Sequence, residues 1–352
     1  MQRNYSFDYL RVIATIMVVL IHTSSPVISQ FTPTTGWHIT NIYEALSRAS
    51  VPIFVMISGA LFLSQSKEIK IKSFFLTRSL KVVIPLVTWS ALYLLLKMLV
   101  INSIPVSLTN ALQLFLTGNV HFHFWFLYMI IGLYLITPLV HVYVKHASKQ
   151  NLTYFLGMWL VSSVLFKLIN YMYQITIPIE LSFVTGYVGY FILGYYLVKY
   201  PAKKLIKYSS IVFIISVGMT AGLTALFSNQ TNAFYSFWYE YLSPNVVLSA
   251  VGLFLMFTRF TKPLPRIYKM INETSLGIYL LHPLVLSYLD NVFGLWIYNL
   301  HPVAGIPVQV GLTILICMIV VIVMQKIPFV ELMVPGSSKK KHVSINKQQL
   351  QL

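Results

Sequence analysis

Several stretches of this chain set side chains that move protons or grip anions into otherwise apolar sequence. The first, residues 7–22, holds Asp8, Arg11 and His22. Residues eleven apart on a helix return to within about 20° of one direction, so Arg11 and His22 share a face. Asp8, three residues before Arg11, joins that stripe. A rise of about 1.5 Å per residue puts His22 roughly 16 Å beyond Arg11. An imidazole titrates near neutrality and can take the proton of a hydroxyl. An Arg paired with Asp8 would orient the stripe and lend it positive charge. A second stretch, 275–283, spaces Ser275, Tyr279 and His282 by four and three, again on one helical face. His282 is expected at a depth near that of His22, so the two histidines would line one cavity. Ionisable groups are costly in hydrocarbon and by default face a bundle interior or a wet cavity. His282 reads equally well as a histidine satisfied by a neighbouring helix beside the kink of Pro283.

Arg78 and Lys81 are three residues apart and could grip a phosphate together. They read equally as the basic flank of a membrane span. His121 and His123 stand two apart just before Trp125. With no third candidate ligand nearby in sequence, they point to no metal site. Many aromatics and scattered acidic or imidazole groups, among them Glu44, Glu180, Glu240 and Tyr298, fall between the apolar runs. They fit an interfacial aromatic belt, and they also fit a surface that would hold a sugar.

The elements that must position these groups are membrane helices. The 352 residues are 57% hydrophobic and only 9% charged, against about 25% charged in a soluble domain. Ten apolar segments approach the roughly 20 residues of a helical span. They cover approximately 8–27, 45–64, 80–101, 124–144, 152–170, 181–199, 208–228, 244–260, 274–295 and 306–326. The fold expected is therefore all-α, a polytopic membrane bundle of about ten helices. Basic residues cluster in alternate connections, at 67–81, 145–149, 199–207, 259–269 and in the tail from 326. By the positive-inside rule both termini are cytoplasmic. Arg48, Lys97 and Lys167 are the basic side chains set towards the opposite half. The same clustering explains the formal charge of +17 without nucleic acid as a partner. The N-terminal apolar run is too long, and too charged at Asp8 and Arg11, for a cleavable signal peptide. Cys317 is the lone cysteine, so no intrachain disulfide forms and a thiolate metal site is not expected. One membrane domain, 1–334, is expected before a Ser/Lys/Gln-rich, disordered basic tail, 335–352.

The pattern Asp8-x-x-Arg11, then ten residues and His22, resembles the first helix of the acyltransferase 3 family. The resemblance continues through the segment around Phe54, Ser58 and Gly59, through Arg78-x-x-Lys81 where the family carries two arginines, through His123-x-Trp125-Phe-Leu, and through Ser275-x-x-x-Tyr279 with His282. Ser58-Gly59 by itself reads as close helix packing. Lys81 keeps the family's charge but loses the bidentate fork of arginine. The resemblance implies a membrane-bound O-acyltransferase of the short, single-domain type, in a bacterial plasma membrane. It would move an acyl group, most readily acetyl from acetyl-CoA, to a hydroxyl of an envelope glycan or lipid-linked sugar. Arg78 and Lys81 would hold the CoA phosphates. His22, with Arg11, Asp8 and His282, would form the catalytic group, and His123, Trp125 and Tyr279 would meet the acceptor. No metal is expected. Two rival readings stand beside this one: a proton-coupled transporter or flippase using the same buried charges, and a subunit that only passes acyl groups to a separate transferase.

Overall fold

The structure is a computed structural model that describes residues 4–100, 107–177, 186–293 and 300–336. The start of the segment expected at 181–199, the side chains of Glu180 and Tyr298, and most of the tail lie outside the described residues. The described residues are helical and contain no strand. In hydrocarbon the backbone must satisfy its own hydrogen bonds, and helices do so within one segment.

The helix carrying the first stripe, α1 (Tyr5–Ile28), starts where the Asn4 side chain accepts from the Ser6 amide at 3.1 Å. It is followed by α2 (Thr35–Ser47), α3 (Ser50–Leu63), α4 (Ile71–Val100) and α5 (Leu108–Leu116). Next come α6 (Trp125–His146), α7 (Lys149–Trp159), α8 (Phe166–Tyr173), α9 (Tyr187–Lys199) and α10 (Lys203–Thr231). The last three are α11 (Pro244–Phe257), α12 (Arg266–Phe293) and α13 (Pro302–Met324). Eight helices or continuous helical runs among the described residues are long and apolar enough to cross a membrane. This makes the chain a polytopic helical membrane bundle.

Two of the ten expected segments do not qualify on that measure, for different reasons. The described part of α9 has only 13 residues. α12 is 28 residues long, but its polar stripe lowers its hydropathy. The second span also begins earlier than expected. The Thr34 side chain accepts from the Trp37 amide at 3.2 Å and starts α2 within what reads in sequence as a connection. The run from Thr35 to Leu63 is interrupted at Arg48, because Pro52 has no N–H to give the Arg48 carbonyl four residues back.

α1 is the hub, touching α2, α3, α11, α12 and α13. One apolar core joins α1 to α3, α6, α9 and α11, a second joins α1 to α12 and α13, and a third joins α4, α6 and α12. α3 lies against α9 with unusually close backbones. A Cβ on Gly59 would fall 1.8 Å from the Phe191 carbonyl oxygen, and one on Gly194 would fall 2.1 Å from that of Met56. Gly59 thus does the packing expected of it. After α5, the Gly118 amide bonds the Phe115 carbonyl at 3.1 Å and the Asn119 amide bonds that of Leu114 at 2.9 Å. This Schellman ending, with Gly118 at φ 75°, turns the chain into the His121–His123 segment.

Candidate active site

α1 and α12 run side by side, and their polar stripes face each other. Near the basic end, Arg11 Nη1 donates to Asp8 at 3.4 Å and to Asn272 Oδ1 at 2.9 Å. Asn272 in turn donates to Asp8 Oδ1 at 3.1 Å. The Asp8–Arg11 pair expected from spacing is therefore a triad tied to α12. Asn272 stands three residues before Ser275, so the stripe on α12 reads Asn272, Ser275, Tyr279, His282, at helical steps of three, four and three. At the other end of the stripes the rings of His22 and His282 lie 5.0 Å apart. Similar depth on parallel helices brings them together, as their positions in sequence imply.

His282 is held by the helix it interrupts. Pro283 cannot donate to the Tyr279 carbonyl, and the His282 imidazole takes the vacated place, with Nδ1 2.7 Å from that oxygen and 3.1 Å from the Ile278 oxygen. A carbonyl only accepts, so Nδ1 carries the proton and Nε2 presents a lone pair. His282 is fully buried, and its Nε2 has no hydrogen-bond partner among the described residues. The His123 ring packs 5.7 Å from that of His282, and its Nε2 is likewise buried without a partner. His121 Nδ1 lies 2.6 Å from His123 Nδ1, so one of the two nitrogens must donate to the other. The Tyr279 hydroxyl donates to the His123 carbonyl and ties α12 to the segment that enters α6. Four imidazoles thus gather at one level of the bundle. No set of three or more His, Cys, Asp or Glu side chains among the described residues is arranged to hold a metal ion.

Three cavities lie in file through this region. The first, about 310 Å³, is lined near the basic end by Arg11, Arg78 and Lys81, and deeper by Ser275 and Tyr279. Arg78 is steadied by its guanidinium carbon 4.7 Å from the centre of the Phe62 ring. Pro335 and Gly336, at the start of the segment read as tail, also line this cavity. Residues 337–352 lie outside the described part. The second cavity, about 40 Å³, is lined by His22, His123, Trp125, Tyr241 and Tyr279. Val18, Phe54, Phe126 and Tyr279 line both and form the partition between them. The third, about 300 Å³, is lined by Arg48, Lys167, Tyr187, Glu240 and Tyr241, and Tyr241 is shared with the second. All nine side chains singled out from sequence fall on this path or brace it: Asp8 and His282 brace, and the other seven line a cavity.

Arg48, Lys167 and Glu240, given no chemical role from the sequence, line the third cavity. Glu44 is fully buried rather than in an outer connection. It accepts from Arg48, from Ser24 and, at 3.1 Å, from Ser25, two and three residues past His22. Lys167 pairs with Glu240, and Lys97 Nζ reaches the Val120 carbonyl at 2.6 Å. The three cations set against the basic end thus each have a partner. Their lone position against the charge rule was a signal that they were held by something; the partners of Lys167 and Lys97, far along the chain, were not visible.

A membrane bundle with a cationic mouth and a buried histidine pair beyond it suits transfer of a group from an anionic carrier. The model of an acyltransferase domain matches residues 4–322, and the chain belongs to the acyltransferase 3 family. No curated protein and no solved structure matches it. Family and fold together make it a multi-pass membrane acyltransferase that moves an acyl group to a hydroxyl acceptor.

Proposed function

We propose that the chain, in a bacterial cell membrane, transfers acetyl from acetyl-CoA to a hydroxyl of an envelope glycan or lipid-linked sugar. The observation that carries this reading is the alignment of the two cavities: the one that starts at Arg11, Arg78 and Lys81 ends against the partition behind which His22 sits. Arg78 and Lys81 hold the CoA phosphates, and Arg11 adds positive charge along the wall. The slim pantetheine arm rises past Ser275 and sets the thioester at Tyr279. His22 takes the proton of the acceptor hydroxyl as its oxygen attacks the thioester carbon. The C–O bond forms, the C–S bond breaks, and the proton passes from His22 to the departing thiolate. Reagents and products balance with no net proton released. His282 keeps a fixed tautomer and packs its ring against that of His22. His123, Trp125 and Tyr279 line the acceptor's side of the chamber.

The test is purified full-length protein with labelled acetyl-CoA and envelope glycans. His22→Ala should abolish label on glycan and leave acetyl-CoA binding unchanged, because the phosphates are held elsewhere. Transfer at the wild-type rate by His22→Ala would remove the base from this scheme.

A further inference from the structure

The third cavity has no part in the path of the donor. It lies on the far side of the His22 chamber from Arg78 and Lys81, and Tyr241 lines it and the chamber together. Trp125, Tyr187 and Tyr241 form a triangle there, with ring centres 5.7 to 6.5 Å apart. Such rings offer flat apolar faces beside hydroxyl groups. The volume, about 300 Å³, is at the lower end of sites for small molecules, which run from about 300 to 1,000 Å³. The charges around it are closed in pairs. Arg48 is bound to the buried Glu44 and sits with its guanidinium carbon 4.5 Å from the centre of the Tyr239 ring. Lys167 is bound to Glu240, each side chain 40% exposed.

We propose that this cavity is the acceptor site and that it selects an uncharged sugar ring. The proposal rests on the acyl-transfer reading above and deepens it. An uncharged ring stacks on the tyrosine faces and leaves both ion pairs closed. A uronic acid would have to compete with Glu240 for Lys167, or with Glu44 for Arg48, and would meet a carboxylate in either place. An amino sugar would meet Arg48 or Lys167 in the same way. Specificity here comes from repulsion as much as from contact. The ring bound at Tyr241 then turns one hydroxyl towards His22, where the acyl group arrives from the other side.

The test separates binding from transfer. Full-length protein in nanodiscs is titrated, without donor, with neutral gluco-, galacto-, manno- and N-acetylglucosamine oligosaccharides and with their uronic-acid counterparts. At least one neutral member should bind, and the acidic set should bind at least about tenfold more weakly. Tyr187→Ala should weaken the neutral ligand about tenfold through the lost ring face. Glu240→Gln is nearly isosteric and frees Lys167, so it should raise affinity for the acidic set about tenfold. Acetyl-CoA binding, measured on the same samples, should be unchanged in both variants and reports that they are folded. The proposal is overturned if no neutral oligosaccharide binds, if the acidic set binds as well as the neutral one, or if Glu240→Gln leaves the preference unchanged. Labelled acetyl transfer is followed in parallel. The expected binding pattern without transfer would overturn the acyl-transfer reading and leave a sugar site; transfer without that pattern would do the reverse.

Discussion

Glu44 gives the most demanding test of how this bundle is held together. Its side chain is wholly buried, and the Arg48 side chain it pairs with is only 16% exposed. Removing the carboxylate alone, in Glu44→Met, leaves a guanidinium in a nearly dry setting. Breaking a buried pair in this way costs about 3–5 kcal/mol. The Ser25 hydroxyl also loses its acceptor, at about 1 kcal/mol, whereas Ser24 keeps the Leu20 carbonyl at 2.8 Å. A total near 5 kcal/mol should lower the unfolding midpoint in nanodiscs by roughly 12 °C, taking about 2–3 °C per kcal/mol. Replacing both partners removes the stranded charge, so Glu44→Met with Arg48→Met should return to within about 1 kcal/mol of wild type. Arg48→Met alone strands the buried Glu44 carboxylate at a similar cost of about 3–5 kcal/mol. Thermal unfolding of all four proteins, read as a double-mutant cycle, should therefore give a coupling of roughly 8 kcal/mol. A single variant that loses less than about 1 kcal/mol, or a double variant that loses the sum of the singles, would refute the reasoning. Neither outcome bears on acetyl transfer.

Gly59→Val should destabilise the protein by more than the roughly 1–3 kcal/mol of ordinary overpacking, because its Cβ would meet the Phe191 backbone oxygen at 1.8 Å; an unchanged midpoint would mean that α3 and α9 are not in such close contact. Arg78→Ala should raise KM for acetyl-CoA about tenfold or more with little change in kcat, since a phosphate contact acts on ground and transition states alike. Lys81→Arg should match wild type or improve on it, and wild-type KM in Arg78→Ala would end the cofactor assignment. With Cys317 replaced by alanine, an impermeant thiol reagent on intact cells should label Asn110→Cys and Asn232→Cys and spare Lys67→Cys and Lys203→Cys. The reverse pattern would invert the orientation and the direction of transfer.

What could be read along one helix was legible in the sequence. The stripe from Asp8 to His22 and the one from Ser275 to His282 depend only on helical periodicity, and depth then brings His22 and His282 together. Groups defined by contact between distant segments were not legible. Asn272 lies just before the apolar segment expected at 274–295, and only its bonds to Asp8 and Arg11 give it a place. Glu44 sat in a stretch whose aromatics suggested a connection, because the Thr34 cap that starts α2 is a weak signal among neighbouring threonines. Lys167 and Glu240 are separated by 73 residues, and no local pattern announces the pair. The hydropathy of α12 shows the converse: the polar side chains that line the site are what make this helix less apolar than the spans around it.

The partition between the first two cavities bears on the membrane as an insulator. A bundle hollowed from both ends must still hold a voltage, and each elementary charge that leaks across 100 mV dissipates about 2.3 kcal/mol. Val18, Phe54 and Phe126, with the Tyr279 ring, separate the first cavity from the second, and apolar constrictions of that kind shed water and block ions. In the proposed scheme the phosphates of the carrier stay on the Arg78 side of this collar. In the same scheme an acyl group passes outward as a proton passes to the thiolate, so the exchange moves no net charge against the membrane potential.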